Sequence, residues 1–283
     1  MSQIRYTSFA ERLNRSITYV LFLALSAIVV YPLVYVVAGA FSPGNSIAAL
    51  NIVPFKDGFT VEHFRTLFME TNYGRWFLNT LVISLETSVL TVLVSSLSAY
   101  VFSRFNFRFK KSFLMSLLIL QIFPSFVGMI AIYVILLRIG GLDTLWGLTL
   151  VYTAGNIPYN TWLVKNYMDT VSKNLDEAAR MDGASHFRVF WQIIMPVARP
   201  IIIFLAITSF TAPWMDFIFP KMVLRSPENQ TLALGLFSFV SDKKNEFTVF
   251  AAGALIVAVP FVVFFLLTQK TLVTSFGGAA VKE

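Results

Sequence analysis

Cysteine is absent from the 283 residues, histidine occurs only at His63 and His186, and charged residues make up 13% of the chain. Each scarcity removes a class of chemistry. Without cysteine there is no disulfide framework, thiolate nucleophile or thiolate metal site, although the compartment stays open. Two histidines far apart in sequence supply neither a His/Cys metal cluster nor an apparent Ser-His-Asp set. No G-x-x-x-x-G-K-[ST] run occurs, so the phosphate-cradling loop of a P-loop ATPase is missing. The charge fraction is about half the roughly 25% of an ordinary soluble domain. That excludes a disordered chain and a typical soluble enzyme.

What is abundant is apolar, at 57% of the chain. A helix needs about 20 predominantly apolar residues to cross a hydrocarbon core. Six runs qualify, about 17–41, 76–102, 112–137, 144–164, 200–220 and 247–269; the second contains Glu86, the fifth Asp216, and the others no charge. The first is too long for a signal-peptide core and lacks a good small-residue cleavage site, so it reads as a retained span. Pro32, Pro124, Pro158, Pro213 and Pro260 interrupt the runs; each frees a backbone carbonyl and can kink its helix. These features predict an all-α integral membrane protein with residues 1–283 as a single transmembrane domain.

The formal charge of +7 would suggest a polyanionic partner in a soluble protein, but its distribution says otherwise. Fourteen Lys and Arg fall in the termini and the loops after spans two and four, and eight on the opposite side. The short loop holding Arg104, Arg108, Lys110 and Lys111 has no acid. Basic loops stay in the cytoplasm, so both termini are predicted inside and a nucleic-acid partner is set aside. His63 and His186 then lie on opposite sides of the membrane.

Most of the polar inner mass lies between spans four and five. Asn174, with Glu177 three residues later, matches a capping pair that opens a helix. Ala178 and Ala179 are strong helix formers, and Gly183 stands where a left-handed C-cap is expected. A second, amphipathic helix follows, with Phe187, Phe190, Ile193 and Ile194 on one face by 3.6-residue spacing. Pro196 and Pro200 close it.

Glu177-Ala178-Ala179, Asp182-Gly183-Ala184, then Phe190, Ile193, Pro196 and Pro200 resemble the EAA loop of permease subunits in binding-protein-dependent ABC importers. The six-span frame is also that of the family. Met195 stands where the family usually has leucine, a volume-conserving change. The resemblance implies the type I importer permease fold, with residues 170–200 as a coupling loop that docks on a separate cytoplasmic ATPase. Glu177 and Asp182 would make polar contacts there. Ala178, Ala179 and Ala184 would allow close approach, Gly183 would make the turn, and Phe190 and Pro196 belong to the same element. ATP and Mg would bind that ATPase, leaving this chain with no cofactor, metal or catalytic residue of its own.

The 270–283 tail, with Gly277, Gly278, Val281 and Lys282, is similar to that of maltose-type sugar permeases. In those the tail enters the ATPase dimer interface; a frayed terminus is the alternative. The resemblance thus implies uptake of maltodextrin or a related oligosaccharide across a bacterial cytoplasmic membrane. Its partners would be a second, different permease chain, two ATPase copies, an extracytoplasmic sugar-binding protein and the bilayer. Residues 42–75 and 221–246 are long enough to meet that binding protein.

Ionisable groups at bilayer depth are functional-site hypotheses by default. Glu86, Gln121, Asn156, Asn160 and Asp216 are candidates for a translocation path, and Tyr152, Tyr159, Trp162 and Trp214 could stack on a sugar. Other readings stay open: Glu86 bonded to a neighbouring serine or threonine or to the partner permease, and Asp216 paired with Lys221. An ion-coupled secondary transporter using Glu86 and Asp216 is the rival function. A membrane-embedded enzyme would need a catalytic set that is missing.

Overall fold

A computed structural model describes residues 9–45, 53, 55–122, 125–241 and 245–277. Every regular element among them is helical. The chain divides into two compact units, residues 1–71 with 238–257 and residues 72–237 with 258–283.

The first unit holds α1 (Phe9–Phe41), α2 (Glu62–Met69) and the start of the last helix. Large apolar side chains of α1 from Ile17 to Leu33 are exposed, as lipid-facing residues would be. Near its end Ala40 packs with Ala251 and Ala252, all fully buried. The Phe41 ring meets Phe59 at 4.9 Å and Phe64 at 5.0 Å. His63 Nε2 lies 2.9 Å from the Ser42 carbonyl oxygen, so this histidine ties a short helix to a loop.

The second unit starts with α3 (Tyr73–Arg104), α4 (Lys110–Ile122), α5 (Ser125–Ile139) and α6 (Leu145–Asp169). It continues with α7 (Asn174–Met181), α8 (His186–Val197), α9 (Arg199–Met215) and α10 (Ile218–Val223). The helices α11 (Leu232–Val240) and α12 (Phe247–Gly277) end the described chain. Predicted spans one, two and six lie within α1, α3 and α12, and span four corresponds to α6. Pro32, Pro158, Pro213 and Pro260 sit inside helices, while Pro124 lies outside the described residues.

Two predicted spans are not single helices. Span three is divided into α4 and α5, bent by 104°. Span five ends at Met215, because Asp216 turns extended and its Oδ1 accepts the N–H groups of Ile218 at 3.0 Å and Phe219 at 3.3 Å. Such local side-chain bonds compete with helix continuation. Among the described residues, three helices are long and apolar enough to cross a membrane, or up to five if each bent pair is one span. The 25-residue α6 is long enough, but Thr149, Thr153, Asn156, Asn160 and Thr161 dilute its hydropathy.

The main packing is that of α3 on α6 and α9. Its polarity is inverted relative to a soluble protein. Thr80, Ser84, Thr87, Thr91, Ser95 and Ser96 of α3 are fully buried, while Leu85, Val89, Leu90, Val94 and Leu97 are exposed. Small hydroxyl residues let helices approach closely where lipid removes the hydrophobic drive between them. Ser88 Oγ donates across the contact to the Ala206 carbonyl at 3.0 Å. An apolar cluster at the basic-loop end joins Ala99 and Tyr100 to Val164, Met168, Phe190, Ile194 and Leu205.

Candidate functional site

The 174–197 hairpin is built by local rules. The carbonyls at the end of α7 need partners, and Gly183 adopts φ +82° to supply them. Its N–H donates to Arg180 O and the Ala184 N–H to Ala179 O, both at 3.0 Å. This is the Schellman pairing, with glycine at the left-handed position. At the other end the expected Asn174/Glu177 cap does not form. Asn174 is already helical, and its N–H meets Ser172 Oγ at 3.3 Å. Ser185 opens α8 by accepting the Arg188 N–H at 3.3 Å.

The face of α8 also differs from the expected one. Residues 190–194 form a π turn just before Pro196, whose missing N–H could not serve an α-helical bond. The wider turn puts Val189, Phe190 and Ile194 in the core and leaves Phe187 68% exposed. Phe190 is therefore an anchor within the chain, not a contact surface. Ala179 and Ala184 pack partly against the same core. Glu177, Ala178, Asp182, Gly183 and Pro196 remain exposed.

What holds the hairpin to the helices above it went unseen in the sequence. Arg104 Nε, at the end of α3, lies 3.0 Å from Asp176 Oδ2 in the first turn of α7. A cleft of 280 Å3 opens beside this pair, lined by Tyr100, Phe105, Lys173, Glu177, Arg180 and His186. The His186 ring packs against Phe105 at 4.8 Å. Beside it, Asp169 Oδ1 accepts Ser103 Oγ at 2.7 Å, and Lys165 bonds Oδ2. Burial opposes the charged form of Asp169, but the bonds from Lys165 and Ser103 and the charges of Lys165 and Lys110 hold its carboxyl below the usual range.

A second cavity, of 460 Å3, lies among α5, α6, α9 and α10. It brings together two of the predicted path residues, Asn156 and Asp216, with Tyr152 and an otherwise mostly aliphatic lining. Tyr152 Oη donates to Asp216 Oδ2 at 2.9 Å. Lys221 is not the partner of Asp216; its Nζ lies over the Phe217 and Phe237 rings at 5.2 and 5.4 Å. The other three candidates do not line this cavity. Glu86 Oε2 accepts Thr149 Oγ1 at 3.0 Å, a helix–helix bond from α6 to α3. Asn160 is buried, and its amide donates to Asn156 O at 2.8 Å. Gln121 is an exposed residue of α4. Glu86 and Asp216 thus do not form one ion site. Trp214 is buried among the Phe77, Phe210 and Phe261 rings, so it is not open for stacking on a sugar. In the tail, Gly277 ends α12, whereas Gly278, Val281 and Lys282 lie outside the described residues.

The 225–231 segment is clasped from two sides. The Asn79 amide donates to Glu228 O at 2.7 Å and Gln230 O at 2.9 Å, and Trp76 Nε1 to Pro227 O at 3.3 Å. Asp143, itself at φ +57°, accepts the N–H groups of Arg225 at 2.9 Å and Ser226 at 3.0 Å. Its Oδ2 takes the Ser226 hydroxyl, and its backbone carbonyl takes the Asn229 amide at 2.6 Å. Burial opposes the charge, but the bonds from Ser226, Arg225 and Asn229 prevail and hold the carboxyl below the usual range. With a lowered pKa, the clasp contributes fully above the ordinary carboxylate value of about 3.9 and is lost as pH falls through the lower folded value. Asp143→Ala is expected to cost about 1–2 kcal/mol at neutral pH, a screened value for bonds to a part-exposed charge. Proteolysis at 225–229 would then be faster at pH 7, while the native loop stays protected down to about pH 4.

Comparison with known proteins gives the family. The family described as "Binding-protein-dependent transport system inner membrane component" matches residues 91–270. The maltodextrin transport system permease protein MdxG of Bacillus subtilis is 42% identical, over 97% of this chain and 99% of that one. The galactooligosaccharides transport system permease protein GanQ of the same organism is 39% identical, over 94% of each. A crystal structure of a bacterial ABC transporter involved in alginate import superposes with a TM-score of 0.83 at 20% identity, over 94% of this chain and 98% of that one; at that identity it speaks for the fold alone. The ion-coupled reading of Glu86 and Asp216 is overturned by these relatives as well as by the geometry. The chain belongs to the inner membrane components of binding-protein-dependent transport systems, and is a transport permease rather than an enzyme.

Proposed function

We propose that this chain is one of two different permease subunits of an ATP-driven importer that takes up maltodextrin or a closely related oligosaccharide. The 174–197 hairpin carries the reading. A short helix closed by a Schellman turn presents Glu177, Ala178 and Asp182 to solvent, while Phe190 and Ile194 root the hairpin in the helix core. Such an element can receive a push from a docked ATPase and pass it to α3, α6 and α9. ATP and Mg belong to two copies of that separate subunit, and ATP-driven closure switches the helices between inward- and outward-facing states.

In this reading six spans cross a bacterial cytoplasmic membrane with both termini inside, and the bent α4–α5 pair counts as one of them. The segment around Pro227 and Glu228 then lies outside. Its fixed backbone supports a rigid seat for the sugar-loaded binding protein. Kinship to both maltodextrin and galactooligosaccharide permeases supports an oligosaccharide cargo, and whole-length similarity to MdxG favours maltodextrin.

The test is reconstitution of the chain with its ATPase, partner permease and binding protein in proteoliposomes. ATP hydrolysis should rise when the binding protein carries maltodextrin. Glu177→Lys reverses the exposed charge on α7 and should reduce that stimulation about tenfold or more, the scale of one lost charged contact at an interface. Unchanged stimulation in Glu177→Lys would remove the hairpin from coupling. A response to galactooligosaccharide alone would replace the cargo.

A further inference from the structure

The Arg104 side chain is 6% exposed and that of Asp176 is 12% exposed. Withdrawing two charges from water is expensive, and a buried pair adds less stability than its Coulomb energy suggests. What this pair provides is geometry. One Arg104 amino group donates to Met168 O at 2.9 Å and Ser103 Oγ at 3.1 Å, and the other to Val171 O at 3.2 Å. Met168 lies in the last turn of α6, where its carbonyl also accepts the Val171 N–H at 3.2 Å, and Val171 lies just beyond it. The remaining guanidinium nitrogen, Nε, lies 3.0 Å from Asp176 Oδ2 as a buried ion pair, without the alignment of a hydrogen bond. A single planar fork thus touches three segments: its own α3, the end of α6 and the first turn of α7. Lysine carries the charge but cannot reproduce the fork.

Elsewhere α7 is little covered. Met181 is 88% exposed, and Glu177, on the rim of the cleft beside the pair, is open. With only eight residues, α7 is too short to hold a fixed attitude by itself. Its direction is set by the Schellman turn at one end, the packing of Ala179 on the core and Asp176 at the other end.

We propose that Arg104 is a positioning residue for coupling: through Asp176 it locks α7 to the ends of α3 and α6, so that the hairpin and these two helices move as one body. This rests on the permease reading above and adds to it the residue that transmits the movement. If the lock is lost, the ATPase can still move α7, but the helices follow less completely.

The absence of cysteine allows clean spin labelling. In the reconstituted importer, labels at Met181 of α7 and at Leu97 of α3, both exposed, report the distance between the two elements by pulsed EPR. In the otherwise native chain that distance should change by less than about 2 Å between nucleotide-free and ATP-trapped states, the scale of helix shifts within a packed body. With Arg104→Gln it should broaden or shift by more than that. Maltodextrin imported per ATP hydrolysed should fall about fivefold or more in Arg104→Gln and in Asp176→Asn, within the range of known coupling energies. Arg104→Lys should be intermediate. A merely structural role would lower the amount of assembled importer without changing transport per ATP.

A change of several ångströms in the native chain overturns the proposal even if Arg104→Gln fails to assemble. So does an unchanged transport-to-hydrolysis ratio in variants that do assemble. Failure of the permease reading looks different: loaded binding protein would not stimulate hydrolysis in the native complex, whatever the labels report.

Discussion

Gly183→Pro is expected to abolish stimulated ATP hydrolysis while leaving the chain inserted in the membrane. Gly183 stands at φ +82°, and its N–H donates to Arg180 O. Proline fixes φ near −65° and has no N–H, so both the turn and the bond are lost, at a cost of about 3 kcal/mol or more. That corresponds to roughly a hundredfold loss in the population of a correctly formed hairpin. The damage stays local, because the spans do not depend on this turn. Gly183→Ala separates the two causes. A Cβ there would meet nothing within 4 Å, so alanine pays only the left-handed strain of about 1–2 kcal/mol and should keep part of the stimulation. Protease accessibility from each side of the membrane checks insertion, and hydrolysis in proteoliposomes checks coupling. Loss in the alanine variant equal to that in proline would mean that the site tolerates no side chain at all, contrary to the open space seen.

The hairpin was legible in the sequence because its determinants are local. Gly183 in its C-cap place, Ala178 and Ala179 in a helix, and Ser, Pro and Gly punctuation all act within a few residues. Even there, two details depended on competition that spacing does not report. Ser172 reached the first free N–H where Asn174 was expected to cap, and the π turn at 190–194 rotated Phe187 out of the core. Long-range pairings were beyond reach. Nothing near Arg104 points to Asp176, Met168 and Val171, and in sequence it was simply one of four loop bases. Glu86 shows a middle case: the expected kind of partner, a hydroxyl, was found, but on α6 as Thr149 rather than among its neighbours on α3. Asp216 was readable as an ionisable group in an apolar run, yet neither its break of the helix nor its partner Tyr152 could be seen before α6 and α9 were side by side. Hydropathy located the long apolar helices α1, α3 and α12 but could not see that α4 and α5 bend apart.

Gly147→Ala should be the most damaging single-methyl change in the membrane part of the chain. A Cβ on Gly147 would sit 2.1 Å from the Gly141 carbonyl oxygen and 3.0 Å from Thr144 Oγ1. The first of these is backbone and cannot rotate away. Thr144 Oγ1 caps α6 by accepting the Gly147 N–H at 3.2 Å while donating to Gly141 O at 2.8 Å, so three residues are closed around one another. Opening them shifts the first turn of α6, which carries the fully buried Leu148, and moves Asp143 away from Arg225 and Ser226. The cost should reach or exceed the upper end of ordinary overpacking, about 3 kcal/mol. In a chain of this size that is a fall of about 5 °C in unfolding temperature, and the 225–229 segment should become protease-sensitive at neutral pH. Gly155→Ala, in the same helix, is the control. A Cβ there meets nothing within 4 Å, and alanine is the better helix former by about 1 kcal/mol, so its unfolding temperature should stay level or rise. Equal losses in the two variants would mean that glycine matters to α6 for flexibility throughout, and not for the close approach at 141–147.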